Sequence, residues 1–155
     1  MMKIILSILI TLIGLNGYSQ FQFGKNDPVA WNFSAKKIGN KLYEVHFTAS
    51  ISGKYHMYSQ KTDGEGPVPT TFTFTKNPLL SLLGKVKEVG DKVTKYEEVW
   101  KFKVSYFDTK VDFVQIVKSK VTAPTSLKGS VEFMVCDDRQ CKPPKTVEFD
   151  VKLGN

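Results

Sequence analysis

Strict alternation of apolar and polar side chains is the feature that most constrains the fold of this chain. The segment 41–51, KLYEVHFTASI, places its apolar residues on one face and Glu44, His46 and Thr48 on the other. A period of two residues is typical of a β-strand with one buried face. The segment 111–118 is apolar on both faces, which indicates a strand near the centre of a sheet. The same alternation recurs in segments 71–75, 99–107, 131–135 and 146–153.

Turn-forming residues, mostly glycine with asparagine, aspartate or serine, separate these segments. Seven or so short strands divided by such turns predict one all-β domain, an antiparallel β-sandwich. One segment departs from the pattern. Residues 77–84, NPLLSLLG, predict a helical turn, with Pro78 near its start and Gly84 at its end.

The first twenty residues have the layout of a secretory signal peptide. A positive start at Lys3 precedes an apolar run that ends in small and polar residues, and this run is too short to span a bilayer. The predicted organisation is therefore a signal peptide at 1–20 and a single domain at 21–155. The mature chain is expected to be soluble, without a transmembrane segment, and exported to the periplasm or the extracellular space.

The chain is basic, with a formal net charge of +7, and loss of Lys3 with the signal peptide removes one of these charges. The lysines lie mostly on the polar faces of the alternating segments, which is typical of a solvated surface. Nucleic acid is not an expected partner for an exported protein.

The two cysteines of the chain, Cys136 and Cys141, have four residues between them and flank a predicted hairpin tip. Zinc would need two more ligands, and the two histidines, His46 and His56, are ten residues apart in the other half of the chain. The sequence therefore predicts no metal site and no cofactor. Disulfides persist in exported proteins, so the pair is expected to be oxidised at least part of the time.

Two interpretations of the cysteine pair remain open. A purely structural bridge that closes so short a ring removes only about 2 kcal/mol of unfolded-chain entropy. A redox pair needs a reachable sulfur and a second thiol close by, and a hairpin tip provides both. Pro143 and Pro144 stiffen the chain after Cys141 and favour an edge position for its sulfur. Cys136 follows a strand whose apolar face is expected to be buried, so it should be the better shielded of the two.

Four segments resemble, in the same order, the N-terminal domain of DsbD, the bacterial thiol–disulfide interchange protein. They cover practically the whole predicted domain, from residue 28 to residue 153. The segments are GKYHMYSQ (53–60), GPVPTTFTF (66–74), KYEEVWKFKVSYF (95–107) and VCDDRQCKPPKTVEF (135–149).

The resemblance implies an immunoglobulin-like sandwich that passes reducing equivalents outside the cytoplasmic membrane. A thioredoxin-like domain would reduce the hairpin disulfide, and the hairpin would then reduce exported client oxidoreductases. Cys141 matches the cysteine that joins the partner, and Cys136 matches the one that resolves the complex. The stretch of Glu97, Glu98, Val99 and Trp100 matches a cap loop over the cysteines, and His56 and Tyr58 match aromatic positions beside them.

Three departures from the family pattern are visible. The cysteines are one residue closer in sequence than in the best-known members. Val99 stands where an aromatic ring usually covers the sulfurs, and Trp100 is the neighbour that could replace it. Members of the family usually continue into membrane and thioredoxin-like domains, whereas this sequence ends at Asn155. The resemblance thus implies a membrane reductase acting in trans. The alternative is a secreted binding or accessory module whose short disulfide is purely structural.

Overall fold

The computed structural model describes residues 27–62 and 65–154, which form eleven β-strands and, within those ranges, no helix that could cross a bilayer. The predicted signal peptide at 1–20 lies outside the described residues, as do residues 21–26. The strands are β1 (Val29–Gly39), β2 (Leu42–Ile51), β3 (His56–Tyr58), β4 (Thr71–Phe74), β5 (Leu80–Val89), β6 (Val93–Glu97), β7 (Phe102–Phe107), β8 (Lys110–Ser119), β9 (Thr125–Phe133), β10 (Val135–Cys136) and β11 (Lys145–Leu153).

The described strands form three antiparallel sheets. The first sheet has the order β1-β2-β8-β5, the second β10-β3-β7-β6 and the third β11-β9-β4. Apolar residues of the first and third sheets, joined by a few from the second, pack into one main core. The all-β architecture predicted from the sequence is confirmed.

Alternation in β2 and β8 builds this main core as the sequence predicts. Along β2 every second residue is buried, from Tyr43 to Ile51, and β8 lies between β2 and β5 with buried residues on both faces. Phe47 is fully buried, and its ring centroid lies 4.7 Å from that of Phe149 and 4.9 Å from that of Phe72. Burial of each such side chain contributes about 1.5–3 kcal/mol to folding.

The second sheet contributes to two separate apolar clusters because its strands also alternate. Met57, Phe107 and Val135 belong to the main core. The residues of opposite phase form a second, smaller cluster together with residues from the adjoining loops. It consists of Tyr58, Val104, Met134 and Cys136, with Val68, Trp100, Phe102 and Tyr106 packed against it. Cys136 thus lies in this second apolar cluster and not in the main core.

The chain changes sheets immediately before the first cysteine. β9 pairs with β11 up to the opposed residues Phe133 and Lys145, and after Met134 the short β10 pairs instead with β3. Such switches form the corners of β-sandwiches. The predicted hairpin between the last two long strands is therefore present, and the eleven residues 134–144 form an extended tip that belongs partly to another sheet.

The helical turn predicted for residues 77–84 is wrong, because Leu80 begins strand β5 at the edge of the first sheet. Leu80 and Val86 pack against the main core. Gly84 does not end the element. It adopts a φ of 72° where the pairing with β8 shifts register, between Leu83 and Lys87. A short apolar run is ambiguous between helix and strand, and here the long-range pairing with β8 decides.

Candidate functional site

The two cysteines face each other across the tip that joins β9 to β11. Cys136 forms an isolated antiparallel bridge with Cys141, their Cα atoms are 3.9 Å apart, and a disulfide joins their sulfurs. On its other side Cys136 pairs with His56 of β3. The tip therefore holds the cysteines within disulfide reach, as the sequence predicts.

Asp137 builds the turn between the cysteines. Its Oδ1 atom accepts hydrogen bonds from the backbone N–H groups of Arg139 (2.8 Å) and Gln140 (2.9 Å), while its own N–H donates to the carbonyl of Gln140 (2.9 Å). These backbone hydrogen bonds, with Lys54 Nζ 3.3 Å from Oδ2, lower the pKa of Asp137 below its ordinary value. The charge of Asp137 is thereby used to hold the turn closed.

The two cysteines differ sharply in their exposure to solvent. Cys136 lies in the second apolar cluster and is only 2% exposed. Cys141 is exposed, and so are Pro143 and Pro144 after it. A single backbone hydrogen bond, from Lys142 N to Val135 O at 2.9 Å, ties this outer arm to β10. A molecule approaching from solvent therefore meets Cys141 first.

A tight turn after β6 forms one wall of the site. The N–H groups of Trp100 and Lys101 donate to the carbonyl of Glu97 at 3.1 and 2.9 Å. Trp100 packs against the cluster that contains Cys136, whereas Val99 is 82% exposed. Trp100, rather than Val99, is therefore the side chain of this turn that packs towards the cluster of Cys136. The carboxylate of Glu98 turns outward and pairs with Lys101 at 3.0 Å.

Three aromatic side chains lie together beside the cysteines. His56 Nε2 is 3.2 Å from the Tyr58 hydroxyl, and the His56 ring centroid lies 4.5 Å from that of Tyr106. Burial lowers the pKa of His56 and raises the pKa values of Tyr58 and Tyr106. Both phenols are therefore neutral near pH 7, and the imidazole is mostly neutral as well. His56 lies beside the disulfide, the position that the resemblance implies for it.

These elements enclose an open groove of about 590 Å³ over the disulfide. Apart from Glu98, all of the site residues predicted from the sequence line it, and so do several that the sequence did not single out. The lining consists of Lys54, His56, Tyr58, Lys95, Glu97, Val99, Trp100, Tyr106, Asp108, Cys136, Asp137, Asp138, Arg139, Gln140 and Cys141.

Tyr106 and Asp108 are two of the eight groove residues that are not among the site residues predicted from the sequence. Tyr106 lies on the apolar phase of segment 99–107, which the alternation assigns to a buried face rather than to a site. Tyr106 pairs with Tyr58 across the second sheet, and the next pair in this ladder is Phe107 with Met57. No residue spacing along the chain indicates this register, since β3 and β7 are far apart in sequence.

The groove offers disulfide chemistry with acid–base groups around it. Within residues 27–62 and 65–154, no three histidine, cysteine, aspartate or glutamate side chains converge as a metal site requires. Attack on a disulfide needs one sulfur that the attacking thiolate can reach and a second sulfur that leaves as a thiolate. Cys141 is the exposed cysteine of this pair, and Cys136 is its shielded disulfide partner.

The fold and the site together define a class of protein: a small all-β sandwich domain with a surface disulfide between one exposed and one shielded cysteine. No protein-family model matches the chain, and no curated protein matches it. Solved structures, however, do share its fold.

The fold is similar to the crystal structure of the DsbD N-terminal domain from Neisseria meningitidis in the reduced form. The TM-score is 0.55 at 17% sequence identity, over 83% of this chain and 87% of that one. It is also similar to the N-terminal periplasmic domain of ScsB from Proteus mirabilis, with a TM-score of 0.53 at 13% identity. That match covers 86% of this chain and 49% of the ScsB chain. The resemblance predicted from the motifs is confirmed at the level of the fold, which is the immunoglobulin-like fold of the DsbD N-terminal domain.

Proposed function

We propose that this domain exchanges its Cys136–Cys141 disulfide with protein partners and so passes reducing equivalents to or from them. The observation that carries the proposal is the unequal exposure of the two cysteines, Cys136 shielded and Cys141 exposed, in a groove over the disulfide. The incoming thiolate attacks Cys141, and Cys136 leaves as a thiolate that later attacks the mixed disulfide and releases the partner.

Thioredoxin-like domains are the proposed partners, namely that of a membrane reductase on one side and exported client oxidoreductases on the other. The order of the motifs and the shared fold support this choice. The predicted signal peptide at 1–20 supports an exported location, as does the periplasmic domain of ScsB, which has the same fold.

The test is reduction of the oxidised domain by a reduced thioredoxin-like protein, followed by alkylation of the new thiols and mass spectrometry. We expect both cysteines to be alkylated within minutes. When a thiol regenerates the thioredoxin-like protein, a catalytic rather than a stoichiometric concentration of that protein should be sufficient. A disulfide that stays oxidised under these conditions would count against the proposal.

Trp100 is proposed to shield the disulfide until a partner docks. Its ring packs on the cluster that contains Cys136, so Trp100→Ala should open a path to the disulfide. Loss of a shielding contact worth about 1 kcal/mol corresponds to roughly fivefold faster attack by a small thiol. Stopped-flow reduction by dithiothreitol measures this rate.

Tyr96→Ala is the matched control, because it truncates another aromatic side chain, 48% exposed, in the strand that leads into the same turn, and Tyr96 does not line the groove. We expect its reduction rate to equal that of the unaltered domain. Equal rates for the Trp100 variant and the control would show that Trp100 does not act as a cap.

A structural disulfide in a secreted binding module is the second candidate. It is favoured by one observation, the burial of Cys136 in an apolar cluster, which would also suit a bridge that is never opened. The two candidates differ in the reduction potential that they require. A structural bridge in an exported protein typically lies below roughly −300 mV, and an exchanging one lies higher.

A further inference from the structure

The register of the second sheet places an imidazole beside the shielded sulfur. His56 lies directly opposite Cys136 in the ladder between β3 and β10, and Cys136 lies opposite Cys141. Directly opposed residues of an antiparallel pair project on the same face, with Cβ atoms about 4.5–5.5 Å apart. One row across the sheet thus contains the imidazole of His56, then Cys136, then Cys141.

Exchange at Cys141 creates a problem at Cys136. When the bond between them breaks, Cys136 must leave as a thiolate in a position that is only 2% exposed. Burial in apolar surroundings raises the pKa of a thiol and makes it a poorer leaving group. Three cationic side chains line the groove. Lys54 pairs with Asp137 at 3.3 Å, Lys95 pairs with Glu97 at 3.4 Å, and Arg139 lies on the exposed part of the cysteine turn.

The contacts of His56 suit a group that gains and loses a proton. Its ring packs against Tyr106, and its Nε2 atom lies 3.2 Å from the Tyr58 hydroxyl. A hydroxyl can donate to a bare ring nitrogen or accept from a ring N–H, so this contact survives in either protonation state. The Tyr58 contact therefore fixes the ring while the other ring nitrogen, Nδ1, can release or take up a proton.

We propose that His56 gives a proton to Cys136 when the disulfide is opened and takes it back when the disulfide re-forms. This inference rests on the proposed exchange function. The partner thiolate forms a new S–S bond to Cys141 Sγ, and Cys136 Sγ departs with the electron pair of the broken bond. Protonated His56 transfers a proton to that sulfur and becomes neutral. In the reverse step neutral His56 removes the proton as Cys136 attacks the mixed disulfide.

The groups that face His56 determine where it titrates. They come from the neighbouring strands and from the cysteine turn, and they are Tyr58, Tyr106, Asp108, Glu97, Asp138 and Lys95. Burial, the largest effect, lowers the pKa of His56, while Asp108, Glu97 and Asp138 raise it and Lys95 lowers it. The net result lies below the ordinary value, so the protonated form becomes abundant only in mildly acidic surroundings. Opening of the disulfide should therefore accelerate as the pH falls through this pKa.

The test is the pH dependence of disulfide opening by dithiothreitol between about pH 5 and pH 8. The second-order rate constant is divided by the thiolate fraction of the reductant, so that only the protein contributes to the remaining profile. We expect this corrected constant to rise by roughly threefold to tenfold towards acidic pH in the unaltered domain. His56→Gln keeps a side chain that can hydrogen-bond to Tyr58 but cannot titrate in this range, and its profile should be flat.

His46→Gln is the matched control. His46 is the second of the two histidines and lies on the first sheet, with its Nδ1 atom 2.6 Å from Asp112. In the His46→Gln variant the corrected rate constant should still rise towards acidic pH. A rise that persists in His56→Gln, or a flat profile in the unaltered domain, would overturn the inference while leaving exchange itself intact. Failure of every variant to be reduced would instead overturn the proposed function.

Nuclear magnetic resonance of the two histidine rings gives a second measurement that needs no variant. In the reduced domain the His56 signals should show two titration steps, their own and that of the Cys136 thiol, and only one step in the oxidised domain. The His46 signals should be the same in both states. Identical His56 titrations in the reduced and oxidised domains would contradict the proposed proton exchange.

Discussion

A Cys136→Ser variant should form a stable mixed disulfide with a thioredoxin-like partner. A Cys141→Ser variant should form at least about tenfold less of this mixed disulfide. The physical reason is access. In Cys136→Ser the remaining sulfur is the exposed Cys141, whereas in Cys141→Ser it is Cys136, which is 2% exposed and packed in an apolar cluster. Removal of either cysteine also removes the thiol that would release the partner.

The partner for this experiment carries only its exposed cysteine, activated as a mixed disulfide with thionitrobenzoate. The thiolate of the variant displaces thionitrobenzoate, so its absorbance and the band on non-reducing electrophoresis report the same bond. In denaturant both variants should react to the same extent, which shows that the difference in the folded state comes from access.

Equal trapping by the two folded variants would contradict the assignment of Cys141 as the residue that meets the partner. If neither variant traps the partner while both react in denaturant, the binding-module alternative would be favoured.

Phe47→Ala should lower the free energy of unfolding by about 3–5 kcal/mol, a large share of the 5–15 kcal/mol typical of a domain. Phe47 is 0% exposed, and its ring contacts those of Phe33, Phe72, Phe74 and Phe149 from three other strands. Truncation leaves a cavity that these rings, fixed on their own strands, fill only in part. Urea unfolding of the oxidised domain measures the change.

Val89→Ala is the control for this experiment, since it also truncates an apolar strand residue but one that is 58% exposed. We expect its effect to stay within about 0.5 kcal/mol. Similar losses for the two variants would contradict the position of Phe47 at the centre of the core. Because the disulfide lies in a separate cluster, the rate at which dithiothreitol reduces folded Phe47→Ala should match that of the unaltered domain.

The parts of the fold that the sequence predicts are those in which local alternation and burial agree. In β2 the phase that is apolar in sequence is the phase that is buried, and in β8 the apolar residues on both phases match its position between two strands. Phe133, Phe149 and Leu153 are buried as predicted. In β2, β9 and β11 burial of one face leaves a single register that satisfies the pattern.

The sequence could not predict features that depend on pairing between distant segments. β5 has an apolar run that suits either a helix or a strand, and its place at the edge of the first sheet follows only from its pairing with β8. The change of sheets at Met134 is similar. Residues 131–135 alternate as one uninterrupted strand, yet Val135 pairs with β3 rather than with β11.

For the candidate site, the sequence indicates several of the residues that line the groove, and the structure shows how they meet. The cysteine spacing and the resemblance identify Cys136, Cys141, the turn with Trp100, and Tyr58, all of which line one groove. The resemblance also includes Glu98 in the cap, but its side chain points away from the groove and pairs with Lys101. The role of Asp137 in closing the turn is a matter of local hydrogen bonds that charge alone does not reveal.

The reduction potential of the Cys136–Cys141 disulfide tests the proposed exchange function most directly. The folded domain is equilibrated with dithiothreitol and glutathione redox buffers, and the fractions of alkylated and oxidised protein give the potential. An exchanging disulfide predicts a value above roughly −300 mV, within the range of thioredoxin-like oxidoreductases. A value clearly below −300 mV, on the order of that of structural bridges in secreted proteins, would contradict it.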